Sequence, residues 1–212
     1  ISLLLNEIVS LGFKKTVQTI VYLPHFMSWV VVASVFKMIL DPNPTGVVNS
    51  LLLKANLVNE PIYFLGDSKY WRGTFYVMNV WKDTGWGTIL FLATLSGISP
   101  DLYEAAQIDG ANRWKRLIYI TLPALANTII TVFILNLAKV MNRFESVFGL
   151  YNNAVYSVSD VISTYIYRQT FAIALPNYGY STAVGLFKSL VGCVLVLICN
   201  WASKKTRGRG IV

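Results

Sequence analysis

The chain has 212 residues, of which 55% are hydrophobic, 14% aromatic and only 13% charged, and its 18 Lys and Arg against 10 Asp and Glu leave +8 at pH 7. A water-soluble domain carries about 25% charged residues and could not hide this much apolar surface in so small a core, so a membrane is the sink for it. The modest counts of Gly (14), Pro (7) and Cys (2) exclude collagen-like and disulfide-scaffold classes, and the hydrophobicity excludes disorder. The positive balance reads as orientation in a bilayer, and no nucleic-acid partner is expected.

In chain order, residues 1–13 read as the tail of an apolar helix already under way, with more chain expected before Ile1. They lack the positive segment and cleavage site of a signal peptide. A helix needs about 20 mostly apolar residues to cross the hydrocarbon, and four stretches approach that: about residues 16–40, 75–98, 124–141 and 180–202. Pro24 should kink the first; the second is the most polar. The expected fold is an all-α, polytopic helical bundle forming one transmembrane domain over residues 1–212.

Lys14 and Lys15, Arg113, Lys115 and Arg116, and Lys204, Lys205, Arg207 and Arg209 fall in three short segments that alternating spans place on one side. The positive-inside rule makes that side the cytoplasm. The other side receives residues 41–74 and 142–179, where residues 158–171 are expected to form a surface helix started by Asp160. Tyr151, Tyr156, Tyr165, Tyr167, Phe171, Tyr178 and Tyr180 crowd this second connection as interface anchors or as faces for sugar rings. Cys193 and Cys199, six apart on one helix, cannot pair with each other there and read as buried apolar residues. The lone His25 has no Cys, Asp or Glu nearby in sequence, so no metal site is expected.

Charged groups inside spans cost about 2.5 to 3.5 kcal/mol each on insertion scales and should avoid lipid. Asn79, Lys82, Asp83 and Trp86 recur at i, i+3, i+4 and i+7; Asn136, Lys139 and Arg143 recur at i, i+3 and i+7. Two such stripes can line a polar path, or the groups can simply bond one another between helices. Lys188, near the outer end of its span, reads as snorkelling. Gly185, Ser189 and Gly192 form a small-residue face that allows close packing.

Between the second and third spans, residues 99–123 are too polar to cross a membrane and too patterned for an irregular loop. Ser99-Pro100-Asp101 can start a helix. Gly110 can end it with a left-handed turn, after which a second helix begins near Ala111 with Trp114, Leu117, Ile118 and Thr121 or Leu122 on one face. This amphipathic helix-turn-helix suits docking against another protein.

Glu104-Ala105-Ala106, Asp109-Gly110 and, nine residues after Gly110, Ile120-Thr-Leu122-Pro123 resemble the EAA loop of permease subunits in binding-protein-dependent type I ABC importers. Residues 22–29 and 180–187 are similar to the carbohydrate class of these permeases, in its LplB-like branch. The resemblance covers nearly the whole chain and implies a first span and most of a second before Ile1. It implies a multi-pass subunit of the bacterial cell membrane, not an enzyme, that moves a carbohydrate inward. The loop would be cytoplasmic, as would the C-terminus, and would dock on an ATPase subunit.

On that resemblance Glu104 would bond a polar or basic group of the ATPase, Ala105 and Ala106 would allow close approach, and Gly110 would make the turn. Asp109, Ile120, Leu122 and Pro123 complete the coupling set. Implied partners are a second permease subunit, two ATP-binding cassette subunits, an extracellular or periplasmic solute-binding protein and membrane lipid. No Gly-x-x-x-x-Gly-Lys-Ser/Thr run occurs, so no cofactor is expected on this chain, and ATP and Mg belong to the partner. Asn79, Lys82, Asp83, Trp86, Asn136, Lys139 and Arg143 are the candidates for the substrate path, and their excess of Lys over acid points to uronate-containing glycans as one substrate class. A non-sugar importer stays open as the alternative, because the EAA pattern is shared across importers. A secondary transporter driven by ion gradients would leave residues 104–123 unexplained.

Overall fold

The structure is a computed structural model that describes residues 1–8, 10–43 and 46–207, without the side chains of Thr206 and Arg207. Arg209 therefore lies outside the described residues, as does the side chain of Arg207. All regular structure among the described residues is helical.

The segment over residues 1–13 is not one helical tail. Helix α1 covers Ser2–Asn6, the chain breaks, and α2 covers Leu11–Tyr22. The stretch 16–40 likewise departs from a single kinked helix. After α2 comes a 3-10 turn, Leu23–Phe26, and a second helix, α3, covers Trp29–Ile39. Pro24 has no N–H to continue the ladder, and Ser28 restarts it by accepting a bond from the Val31 N–H at 3.3 Å, an N-cap. The two pieces reach the length and apolarity of a span only when counted together.

Helix α4 covers Val47–Lys54, α5 Ser68–Ser96, α6 Pro100–Ile108, α7 Arg113–Arg116 and α8 Leu122–Val140. Three short helices follow: α9, Phe144–Phe148; α10, Tyr156–Ser159; and α11, Ile162–Phe171. Helix α12 covers Tyr178–Arg207. The expected surface helix over 158–171 is thus interrupted, with Asp160 in the extended break between α10 and α11.

Contacts divide the chain into two compact units. The first comprises Ile1–His25, Lys82–Ala138 and Leu195–Val212. Its core is Leu5, Leu92, Leu95 and Leu125, joined by Val17 and Phe91, and Thr94 and Thr128 share a 2.7 Å hydroxyl bond beside it. The second comprises Phe26–Trp81 and Lys139–Val194 and is centred on Val32, Trp71, Met78, Val147, Leu150 and Val155. Here the fully buried Asn49 donates to the carbonyls of Asp41 and Ile62 at 2.8 and 3.0 Å and accepts from the Ile62 N–H at 2.9 Å. One amide thereby satisfies three backbone groups of an irregular stretch, the condition for burying a loop.

Two helical stretches, Arg113–Val140 and Tyr178–Lys205, are long and apolar enough to cross a bilayer. None of the most apolar window of the second is buried inside the chain: Leu186, Phe187, Leu190, Leu197 and Ile198 all point outward. An outward face of this kind is stable only in hydrocarbon or against another apolar surface. The same reason corrects the reading of the cysteines, since Cys193 is exposed and Cys199 half-buried. Helix α5 has 29 residues, enough for a span at about 1.5 Å per residue, and is the more polar one, as its Lys82 and Asp83 suggest.

Gly85 of α5 lies against the end of α2. A Cβ there would stand 2.3 Å from the Val21 carbonyl oxygen and 2.7 Å from the Tyr22 Cα, whereas a Cβ at Gly87 would meet nothing within 4 Å. Backbone atoms cannot step aside as a side-chain tip can. Gly85→Ala should therefore destabilise the protein by about 1–3 kcal/mol, while Gly87→Ala should leave it unchanged or slightly firmer. Thermal unfolding of the two variants in detergent measures the contrast.

Candidate functional site at a polar elbow between helices

The elbow is built from local signals. Ser99 accepts from the Asp101 N–H at 3.3 Å, Pro100 opens α6, and Asp101 lies in the first turn, where an acid favours the helix dipole. Glu104 and Ala105 are exposed and Ala106 is half-buried. Helix α6 then stops at Asp109. Gly110 has φ +75°, its N–H donates to the Gln107 carbonyl at 3.1 Å, and the Ala111 N–H donates to the Ala106 carbonyl at 2.8 Å. These two bonds are the Schellman closure of a helix, with glycine at the left-handed position. The carbonyls of Ala105 and Ala106 both serve the turn, the former accepting from the Asp109 N–H at 3.0 Å.

The second arm starts where the Asn112 side chain accepts from the Lys115 N–H at 2.9 Å. It does not end before the membrane. Helix α7 passes into a wide π turn, Leu117–Thr121, and directly into α8. The third span, expected from about residue 124, is therefore continuous from Arg113 to Val140. Pro123 supplies the reason for the widened turn: it lacks an N–H and its ring presses on the carbonyl four residues back, and one extra residue per turn relieves both. The Thr121 hydroxyl lies 3.4 Å from the Arg116 carbonyl, five residues back, and 3.0 Å from the Tyr103 hydroxyl, which ties the arms together. Ile120 is half-buried in the π turn, while Leu122 and Pro123 are exposed. Leu102, Ile108 and Trp114 also present large apolar surface, with Ile108 87% exposed.

The residues of the α5 stripe occupy different surroundings. Lys82 is 6% exposed, and its ammonium donates to the carbonyls of His25 at 2.8 Å and Pro24 at 3.4 Å. It thus satisfies the carbonyls left over where the helical ladder after α2 fails, and a cation suits that end of the dipole. Trp86, 45% exposed, stacks on His25 at 5.1 Å and Tyr22 at 6.4 Å, and the Asp83 carboxylate lies 3.9 Å from His25 Nδ1. Asn79 donates to the Phe75 carbonyl at 2.7 Å and accepts from Arg143 Nη1 at 3.3 Å.

The second stripe is shorter than its spacing implied. Helix α8 ends at Val140, so Arg143 does not share it with Asn136 and Lys139; it sits at the start of α9. A turn closed by the Asn142 N–H on the Lys139 carbonyl, 3.0 Å, redirects the chain and lets Arg143 reach Asn79. Asn136 and Lys139 are exposed. Lys188 donates to the Ser163 hydroxyl at 3.3 Å, a bond that snorkelling alone does not describe.

A cluster in the connection after α8 was legible only in part. Arg168 makes paired bonds of 2.8 and 2.7 Å to Asp160, and its guanidinium lies over the rings of Tyr156 at 4.9 Å and Tyr165 at 5.8 Å. Asp160 also accepts from the Thr164 hydroxyl at 2.7 Å. The Arg168 bond, aided by Thr164, holds the Asp160 carboxyl below the usual carboxylate range, and Arg168 is pushed further up by Asp160. Asp160 and Arg168 are eight residues apart across a helix start, a spacing no simple helical rule flags.

All-helical structure, apolar outward faces and a protruding elbow between two long helices define an integral membrane subunit. The chain belongs to the binding-protein-dependent transport system inner membrane component family, whose model matches residues 3–208. It is 42% identical to protein LplB and 39% identical to the polygalacturonan/rhamnogalacturonan transport system permease protein YteP, both of Bacillus subtilis, over all of its own length. It spans 65% and 64% of the length of those two relatives. It also superposes, with a TM-score of 0.90 and 40% identity, on a chain in the crystal structure of a bacterial ABC transporter involved in the import of the acidic polysaccharide alginate, covering 97% of this chain and 71% of that one.

The Asp160 pair sets a pH dependence. Its folded pKa is depressed, so its contribution is complete above the ordinary carboxylate pKa near about 4 and is lost as pH falls through the lower folded value. The stability gap between wild type and Asp160→Asn, followed by thermal unfolding in detergent, should be steady from pH 7 to about 5 and close below about 4.

Proposed function

We propose that the chain is a transmembrane permease subunit of an ATP-driven importer in a bacterial cell membrane, moving a carbohydrate into the cytoplasm. The cargo is an oligosaccharide or polysaccharide fragment. Its elbow, residues 99–123, faces the cytoplasm and docks on a separate ATPase subunit that carries ATP and Mg. A second permease subunit and a solute-binding protein complete the path.

The observation that carries this reading is continuity. The exposed Glu104 and Ala105, with the half-buried Ala106, are joined through a closed glycine turn to one helical stretch running from Arg113 to Val140. A push on α6 therefore reaches the span through backbone rather than through a slack loop. Glu104 offers a carboxylate to a basic or polar group of the ATPase, Ala105 and Ala106 keep the surface low, and Asp109, Gly110, Ile120, Leu122 and Pro123 hold the elbow's shape. The basic residues around Arg113 and Lys204 support the cytoplasmic orientation.

For the cargo, two names support polysaccharide fragments: the polygalacturonan/rhamnogalacturonan permease and the importer of alginate, an acidic polysaccharide. With Lys82 turned to backbone carbonyls, the exposed Lys139 is the cation we assign to a uronate carboxylate, with Asn136, three residues earlier on α8, for hydroxyls. Arg143, held by Asn79, the Trp86 stack, and Asp83, beside His25, are path candidates by residue type.

In the complete transporter, Gly110→Pro should leave membrane insertion intact and abolish ATP-driven uptake, whereas Gly110→Asn, which tolerates a positive φ, should keep most of it. Uptake surviving in the proline variant would refute the docking role. Lys139→Ala should cut uptake of an acidic oligosaccharide by about tenfold, the worth of one charge-assisted hydrogen bond, and spare a neutral one. Equal losses for the two sugars count against an acidic preference.

A further inference from the structure

Beside the elbow, within the first unit, lies a cavity of about 670 Å³ between α1 and the α7 arm. Its lining is split by chemistry. Leu4, Trp114 and Leu117 give it an apolar wall, while Arg113, Arg116 and Glu7 gather its charge. Two observations mark the charged end as made for an anion. Arg116 Nε is shut off from solvent, yet it donates to no acceptor among the described residues. Arg113 meets Glu7 at 2.8 Å, but the two side chains are 80% and 62% exposed, and an ion pair so open to water contributes about 1 kcal/mol or less. It yields readily to a better acceptor. A phosphodiester carries two equivalent anionic oxygens that match the guanidinium fork.

We infer that this cavity binds an anionic phospholipid of the inner leaflet, with its phosphate between Arg113 and Arg116 and an acyl chain along Leu4, Trp114 and Leu117. Two guanidinium groups against one carboxylate supply the charge complementarity. A soluble phosphate would use the arginines and leave the apolar wall idle; a neutral lipid would do the reverse. The inference rests on the cytoplasmic placement of the elbow proposed above, and it puts a lipid at the root of that elbow, where bilayer composition would tune how firmly α7 is held.

The test uses the complete transporter in nanodiscs of phosphatidylcholine with or without 20 mol% (about one lipid in five) phosphatidylglycerol, a composition typical of anionic-lipid assays. Brominated acyl chains on one lipid or the other quench nearby tryptophan, and subtracting the Trp114→Phe signal isolates the Trp114 share. Brominated phosphatidylglycerol should quench that share more than brominated phosphatidylcholine. Arg116→Gln should weaken the preference about fivefold, the worth of one surface arginine. Glu7→Gln keeps both arginines, so it reports even where Arg116→Gln fails to insert, and it should strengthen the preference.

Equal quenching by the two lipids overturns the site, and so does a Trp114 share that neither lipid reaches. Competition by free glycerol phosphate at equal concentration overturns the lipid in favour of a soluble phosphate. Uptake measured on the same discs separates the readings: lost lipid preference with intact ATP-driven uptake sinks the lipid site alone.

Discussion

A buried backbone carbonyl that loses its helical partner must find another donor, and the break between α2 and α3 leaves such groups behind. Lys82 meets that need from the facing helix, with its ammonium on the carbonyls of His25 and Pro24. The contact requires close approach, which Gly85 permits by having no side chain where Val21 and Tyr22 pass. The polar character of α5, costly for a lone helix in lipid, follows from its service to a broken neighbour. Asp83 and Trp86 extend that service to His25 and Tyr22, so that one face of α5 braces residues 22–25.

The elbow solves the opposite problem, since it must stay rigid while exposed. Each of its bends is closed by local bonds: the Ser99 cap, the glycine turn on the carbonyls of Ala106 and Gln107, the Asn112 cap, and the hydroxyl pair of Tyr103 and Thr121. None depends on a large core. That economy leaves Leu102, Ile108 and Trp114 free to present apolar surface outward.

How much of this could be read from residues alone follows from how local each signal is. The elbow's caps and its left-handed glycine were legible because Ser-Pro-Asp, Gly110 and Asn112 act within a few residues of themselves. The long helices were legible from length and apolarity. The break at residues 23–28 was read as a kink, because whether a proline bends or ends a helix depends on what takes up the freed carbonyls, and Lys82 lies almost sixty positions away in sequence. Arg143 was placed on the α8 stripe because helical spacing continues on paper past the point where the helix stops. The cysteines were read as buried because the span's apolar face was assigned to a protein interior, when most of it is turned outward. The candidate residues were thus accessible from pattern, and their surroundings were not.

The widened turn at Leu117–Thr121 carries a last implication. A π turn is a helix with one surplus residue, and each residue in a helix advances the azimuth by about 100°. The turn therefore fixes the angular phase of everything beyond it, Asn136 and Lys139 included. Losing a single codon there would remove the surplus and restore regular winding with the downstream face still in register, whereas losing one in the regular part of α8 would turn that face through about 100°. A one-residue deletion within the widened turn would thus be far milder than the same deletion a few residues further along the helix.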